Sequence, residues 1–232
     1  MILNEAVMDR IKVSIKGIMD PEVIIDAVGQ PYKNEGPSMK LAEKVVNVYH
    51  HGSVAEHAYI GFRIEGISRL CLQELARHRI ASLTVQSTRF VLSDMLDDYE
   101  NIMNFRIPAM SDEKELLHRY FVFPDNFGDE ELLDACEDVC MCAIERMDAL
   151  YNKYRNHKLS RKALNDRIKY LLPENFRTSL TWTINVRSLN NFLSLRSEET
   201  AHPEIRHLSR LVYDAAKTTP FAGLLYKINE TE

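Results

Sequence analysis

One segment limits the possible folds more than any other. From Asp129 onward, Leu132, Cys136, Val139, Cys140, Ala143, Ile144, Met147, Leu150 and Tyr154 recur at helical spacing. A helix so long and so widely apolar must bury that stripe against other elements. Further helices fit around it. Asp20-Pro21 offers an N-cap and a proline at the first helical position. Ser38 caps a helix with Leu41, Val45 and Val48 on one face, and Gly52 is expected to stop it. Helical spacing also covers about Ile67 to His78 through Ile67, Leu70, Cys71 and Leu75. Ser160 caps a helix that Pro173 ends, and another runs from about Arg187 to Arg196. Thr200 to Pro203 starts the last, with Ile205, Leu208, Leu211 and Val212 inward.

Strands are fewer. Alternation marks Ile11 to Ile18, His57 to Glu65 and Phe176 to Ile184. Gly29 to Pro37 reads as a loop, Ile80 to Leu92 as an ordered loop or edge strand, Ser93 to Asp112 as an acidic irregular surface, and FVFPDNFGD as a connection. Few strands, more helices and no regular strand–helix alternation predict an α+β fold, a compact mixed α/β domain. No glycine-rich fingerprint of a Rossmann or P-loop fold is present. The 232 residues suit a single domain over 1–232.

A net charge of −5 lacks the basic excess of a non-specific nucleic-acid binder, so no nucleic-acid partner is expected. No apolar run approaches the ~20 residues a membrane span needs. The start MILNEAVMDRIK lacks the pattern of a signal peptide, so a soluble, cytoplasmic protein is expected. Cys71, Cys136, Cys140 and Cys142 form no CxxC pair and read as core thiols.

Three polar clusters carry possible chemistry. The densest is Arg77-His78-Arg79, followed by Ser82, Thr84, Gln86, Ser87, Thr88 and Arg89. Cations at a helix C-terminus complement its dipole, but that leaves Arg89 and the hydroxyl run unexplained. Guanidiniums, hydroxyls and loop amides together suit an anionic or planar carbonyl ligand. A second cluster is His50-His51-Gly52-Ser53 with Glu56-His57, open to a metal site or to a satisfied polar corner. The third is Asn185-Val186-Arg187 with Asn191 and Arg196. There Arg187 and Asn191, and Asn190 beside them, sit about one helical turn apart. A heterocycle-reading face and a plain helix cap by Asn185 both stay open.

Arg77 to Arg89 reads RHRIASLTVQSTR, which resembles the signature of the flavin-dependent thymidylate synthase family. HHGSVAEHAYIGFRI and LLPENFRTSLTWTINVRSLNNFLSLR resemble two further blocks of that family, in the same order. The resemblance spans about Ser38 to Arg206. It implies the compact α/β fold of that family and methylation of deoxyuridylate (dUMP) to thymidylate. Methylenetetrahydrofolate would give the carbon, FAD would carry the hydride, NADPH would reduce the flavin, and tetrahydrofolate would be released. It further implies a homotetramer with active sites at subunit interfaces and no resident metal.

Matched by position, Arg77, His78 and Arg79 correspond to flavin contacts, with Ser53, His51, Asn185, Arg187 and Asn191 beside them. Arg77, Gln86, Ser87, Thr88 and Arg89 correspond to nucleotide contacts, and Arg196 to the arginine against the uracil, the catalytic position. Glu74 and Lys169 fall at substrate positions that the family usually fills with glutamine and arginine. Lysine keeps the charge but loses the fork, so Arg167 would assist. Val85 stands where an acid is usual, and Thr200 where a histidine is common. Two other functions remain in view. One is a metal-dependent nucleotide hydrolase using His50, His51, Glu56 and His57. The other is a catalytically silent flavin- or nucleotide-binding homologue.

Overall fold

The computed structural model describes residues 10–32, 36–105, 110–123, 130–157 and 159–228. The chain divides into two compact units. Among the described residues, one comprises 10, 66–70 and 86–178; the other comprises 11–65, 71–85 and 179–228.

The second unit holds most of a four-stranded sheet. Its strands are β1 (Lys12–Ile18), β2 (Tyr59–Ser68), β3 (Ala81–Val85) and β4 (Arg177–Asn185), in the order β1-β2-β4-β3. β1 runs antiparallel to β2 with Ile15 opposite Phe62, and β3 antiparallel to β4 with Leu83 opposite Trp182. The alternation read from sequence puts Ile60, Phe62 and Ile64 of β2, and Leu180, Trp182 and Ile184 of β4, in the core. The segment from Ile80 divides into an edge strand and the start of a helix. Helices α1 (Pro21–Gly29), α2 (Met39–Asn47), α8 (Val186–Arg196) and α9 (Pro203–Lys217) belong to this unit. Asp20, Ser38 and Asn185 cap α1, α2 and α8 through their side-chain oxygens. Phe192 of α8 packs edge-on to Trp182 at 5.1 Å, and Trp182 lies 5.8 Å from Phe62.

The first unit is helical: α4 (Thr88–Phe105), α5 (Met110–Tyr120), α6 (Glu130–Tyr154) and α7 (Arg161–Ile168). They bury Leu92, Met95 and Leu96 against Leu116, Ile144, Met147 and Leu164. Arg177 ties irregular backbone together here, donating to the carbonyls of Gly66 (2.9 Å), His118 (3.4 Å) and Phe121 (3.1 Å). Gly66 has φ +85°, and a Cβ there would fall 2.4 Å from the Arg10 carbonyl oxygen. Only glycine suits that close approach.

Several expectations change. Ser93 to Phe105 is helix, because Leu92, Met95, Leu96 and Tyr99 follow the i, i+3, i+4, i+7 rule beneath the acidic surface. Ile67 belongs to β2, and α3 spans only Arg69–Leu75. Gly52 does not stop α2. The amides of Val48 and Tyr49 both donate to the Lys44 carbonyl, His51 N donates to Val45 O, and His50 takes φ 57°. Pro173 does not set the end of α7, which stops at Ile168 and gives way to a 3₁₀ turn, Lys169–Leu171. The stripe on α6 is narrower than its hydrophobicity suggests: Leu132 and Val139 are exposed, and Glu137 is buried. Val48 is exposed and Leu211 only half-buried. Cys71 and Cys140 are core thiols, Cys136 is half-buried and Cys142 is exposed. Asp129 and residues 124–129 of the FVFPDNFGD segment lie outside the described residues.

Candidate active site

In the second unit a broad cleft of about 1180 Å³ opens between residues 77–80, the stretch from Glu56 to Tyr59, and α8 with its cap Asn185. It exceeds the ~300–1,000 Å³ common for small-ligand sites, so an extended ligand fits it better than a compact one. Arg77, His78 and Arg79, at the turn between α3 and β3, line it together with Asn185, Arg187, Asn191 and Arg196 of the third cluster. Arg77, Arg79, Arg187 and Asn191 are exposed. The antiparallel pairing of β3 with β4 brings the Arg77–Arg79 turn and the start of α8 to one end of the sheet.

The two readings of Asn185 prove compatible. Its Oδ1 accepts from Ser188 N at 2.8 Å, which caps α8, while the residue also lines the cleft. Its amide nitrogen keeps two donors beyond the cap. Asn190 is separated from Arg187 and Asn191: it is buried, donates to Leu224 O and accepts from Tyr226 N. Arg187 pairs with Glu56 and packs against Gly52, where a Cβ would meet its Nε at 3.2 Å. Gly52 therefore makes room for a guanidinium.

Deeper in the cleft, Arg196 is held on three sides. Its Nη1 lies 2.5 Å from Glu74 Oε2, its Nη2 donates to the Glu74 carbonyl, and its Nε donates to His78 Nε2 at 3.1 Å. That last bond requires an unprotonated Nε2. Burial, and then the Arg196 charge, hold the His78 pKa below its usual value. Phe192 packs edge-on to the His78 ring at 5.1 Å, which links the core of this unit to the cleft.

Of the remaining residues singled out in the second unit, His51 Nδ1 lies 2.7 Å from the Tyr32 hydroxyl, and Ser53 is exposed just before the Val54–Glu56 turn. His50, His51, His57 and Glu56 form no metal set; among the described residues no group of three or more His, Cys, Asp or Glu side chains could hold a metal ion.

Gln86, Ser87, Thr88, Arg89 and Lys169 belong to the first unit. There Arg69 donates to Thr88 Oγ1 at 3.0 Å. Arg89 Nε and Lys169 Nζ both meet Asp166 Oδ1, at 2.6 and 3.0 Å. These two bonds, Arg89's first, hold the Asp166 carboxyl down at about 2. Asn165 donates to Arg89 O and Ser93 Oγ and fixes the same corner. Sequence reasoning missed Asp166, although its place three residues before Lys169 on a helical segment was a usable signal. Tyr32 carried no such signal.

Known proteins agree with this architecture. The family described as thymidylate synthase complementing protein matches residues 10–220. A flavin-dependent thymidylate synthase of Helicobacter pylori is 36% identical over 186 residues, covering 79% of this chain and 80% of the relative. One from Wolinella succinogenes is 38% identical over 186 residues, with the same coverage. A crystal structure of thymidylate synthase X from Helicobacter pylori with FAD and dUMP superposes at a TM-score of 0.70. It shares 30% sequence identity over 88% of this chain and 92% of that one. The fold and cleft thus define an α+β enzyme outside the Rossmann and P-loop architectures. The chain belongs to the flavin-dependent thymidylate synthase family. No helix among the described residues is long and apolar enough to cross a membrane.

Proposed function

We propose that this chain, acting as one domain over 1–232, makes thymidylate from dUMP. Methylenetetrahydrofolate gives the carbon, NADPH is the reductant and tetrahydrofolate leaves. We further propose a homotetramer with active sites at subunit interfaces. The observation that carries the reading is the arginine-rich cleft in a family whose Helicobacter pylori member crystallises with FAD and dUMP.

The cleft's donor set fits FAD. Arg77, Arg79 and Arg187 offer guanidiniums to a pyrophosphate, and Asn185 and Asn191 offer amides to a heterocycle. His78, His51 and Ser53 complete the flavin set. When bound, FAD supplies hydride transfer. The remaining work falls to side chains. By their positions in the family motif, Glu74, Arg77, Gln86, Ser87, Thr88, Arg89 and Lys169 are nucleotide contacts. Arg196 favours the deprotonated uracil by placing positive charge where negative charge develops. Ser87 is a binding group, since no base activates it as a nucleophile.

The test is an absorbance scan of purified protein after FAD is added and the excess removed, followed by a turnover assay with dUMP, methylenetetrahydrofolate and NADPH. Retained flavin bands and thymidylate formation are expected. Bound flavin with no thymidylate would overturn the enzymatic reading, and failure to retain flavin would overturn the assignment of the cleft.

A further inference from the structure

Arg196 does not face the cleft as a bare cation. Its guanidinium sits between the Glu74 carboxylate (2.5 Å) and the His78 ring (3.1 Å), and its side chain is only 17% exposed. The other charged or titratable groups close by are Arg77, 3.4 Å from Glu74 Oε1, and the buried Cys71 thiol, which senses both Glu74 and Glu204. Arg77 is largely solvated and the more distant of the two cations, so the Glu74 carboxylate serves chiefly as the counter-charge to Arg196.

We infer that Glu74 is a positioning residue that aims Arg196 and also cancels its charge, so that an incoming anionic nucleotide meets a neutral pair. The inference rests on the reading of Arg196 as a nucleotide contact. A carboxylate here does two opposed things. It fixes the guanidinium from one side and leaves the fork's direction defined. It also repels a phosphate-bearing ligand and competes with that ligand for the same donors. Glutamine in its place still accepts from Arg196 but carries no charge, whereas alanine removes both functions.

The experiment uses the full chain loaded with FAD and titrated with dUMP, with binding followed by the flavin absorbance change. Glu74→Gln is expected to bind dUMP about tenfold more tightly than the wild type at ~0.01 M salt. The gain should fade at ~1 M salt, where the screening length is about 3 Å. Glu74→Ala should lose the gain, because Arg196 is no longer aimed. A second readout needs no nucleotide. Without the Glu74 charge, Arg196 stands uncompensated beside His78, so the His78 ring should titrate at lower pH in Glu74→Gln. Equal or weaker dUMP binding by Glu74→Gln, a gain indifferent to salt, or an unmoved His78 titration would each overturn the inference. A wild-type protein that holds FAD but binds no dUMP would instead overturn the functional reading on which it rests.

Discussion

Phe192→Ala deletes the ring that joins the core of the second unit to the cleft. Phe192 is fully buried, with Trp182 and His78 each 5.1 Å from it in edge-on packing. Truncating a buried phenylalanine costs about 3–5 kcal/mol, and loss of two edge-on partners puts this site in the upper half of that range. In a domain of this size each kcal/mol moves the midpoint by about 2–4 °C, so the melting temperature should fall by roughly 10–15 °C. The functional consequence is separate. Burial is the largest influence lowering the His78 pKa, and a cavity behind the ring admits water. His78 should therefore titrate closer to the ordinary value of about 6.5. Thermal unfolding and the proton resonances of His78 followed against pH give the two numbers. A stability loss below about 1 kcal/mol would refute the packing account. A full stability loss with His78 titrating as in the wild type would refute the claim that Phe192 sets its environment.

Three other expectations follow from named contacts. Arg177→Met strands three carbonyls in the first unit and should cost about 3 kcal/mol in urea unfolding; a loss under about 1 kcal/mol would show those bonds to be replaceable by water. Asp166 titrates near 2 when folded and near 3.9 when unfolded, so its stabilising contribution is complete above about pH 4 and is lost as pH falls toward 2. Asp166→Asn should flatten that part of the stability–pH curve, and an unchanged acid limb would contradict the pairing. Arg196→Ala should keep FAD yet lose most thymidylate formation, by roughly a hundredfold or more; loss of flavin in that variant would move Arg196 into the cofactor set.

Legibility differed by the kind of signal. The strands of the sheet were readable because one face of each is buried and the other is not, as at Ile60, Phe62 and Ile64. Helix starts were readable where a capping side chain stands ahead of the first turn, as at Ser38 and Ser160. The helix through Ser93 was hidden by its charge, since Asp94, Asp97 and Asp98 dominate a segment whose buried positions are few but regularly placed. The stop of α2 carries no glycine signal, because a histidine, His50, occupies the left-handed position usually given to glycine. Among site residues, those carried by the Arg77–Arg79 turn and the start of α8 were legible as clusters. Partnerships across long separations were not. Glu74 with Arg196, Glu56 with Arg187, and Arg89 with Asp166 depend on strand pairing and helix packing that no local pattern encodes.

The path of the chain has a genetic consequence. It changes unit between residues 10 and 11, 65 and 66, 70 and 71, 85 and 86, and 178 and 179. Neither unit therefore corresponds to an uninterrupted stretch of coding sequence. A single recombination event cannot exchange one unit for that of a relative and leave the other whole, and a truncation at the 65/66, 70/71 or 85/86 crossing removes segments of both. An exchange that keeps both units whole must therefore carry the segments of both.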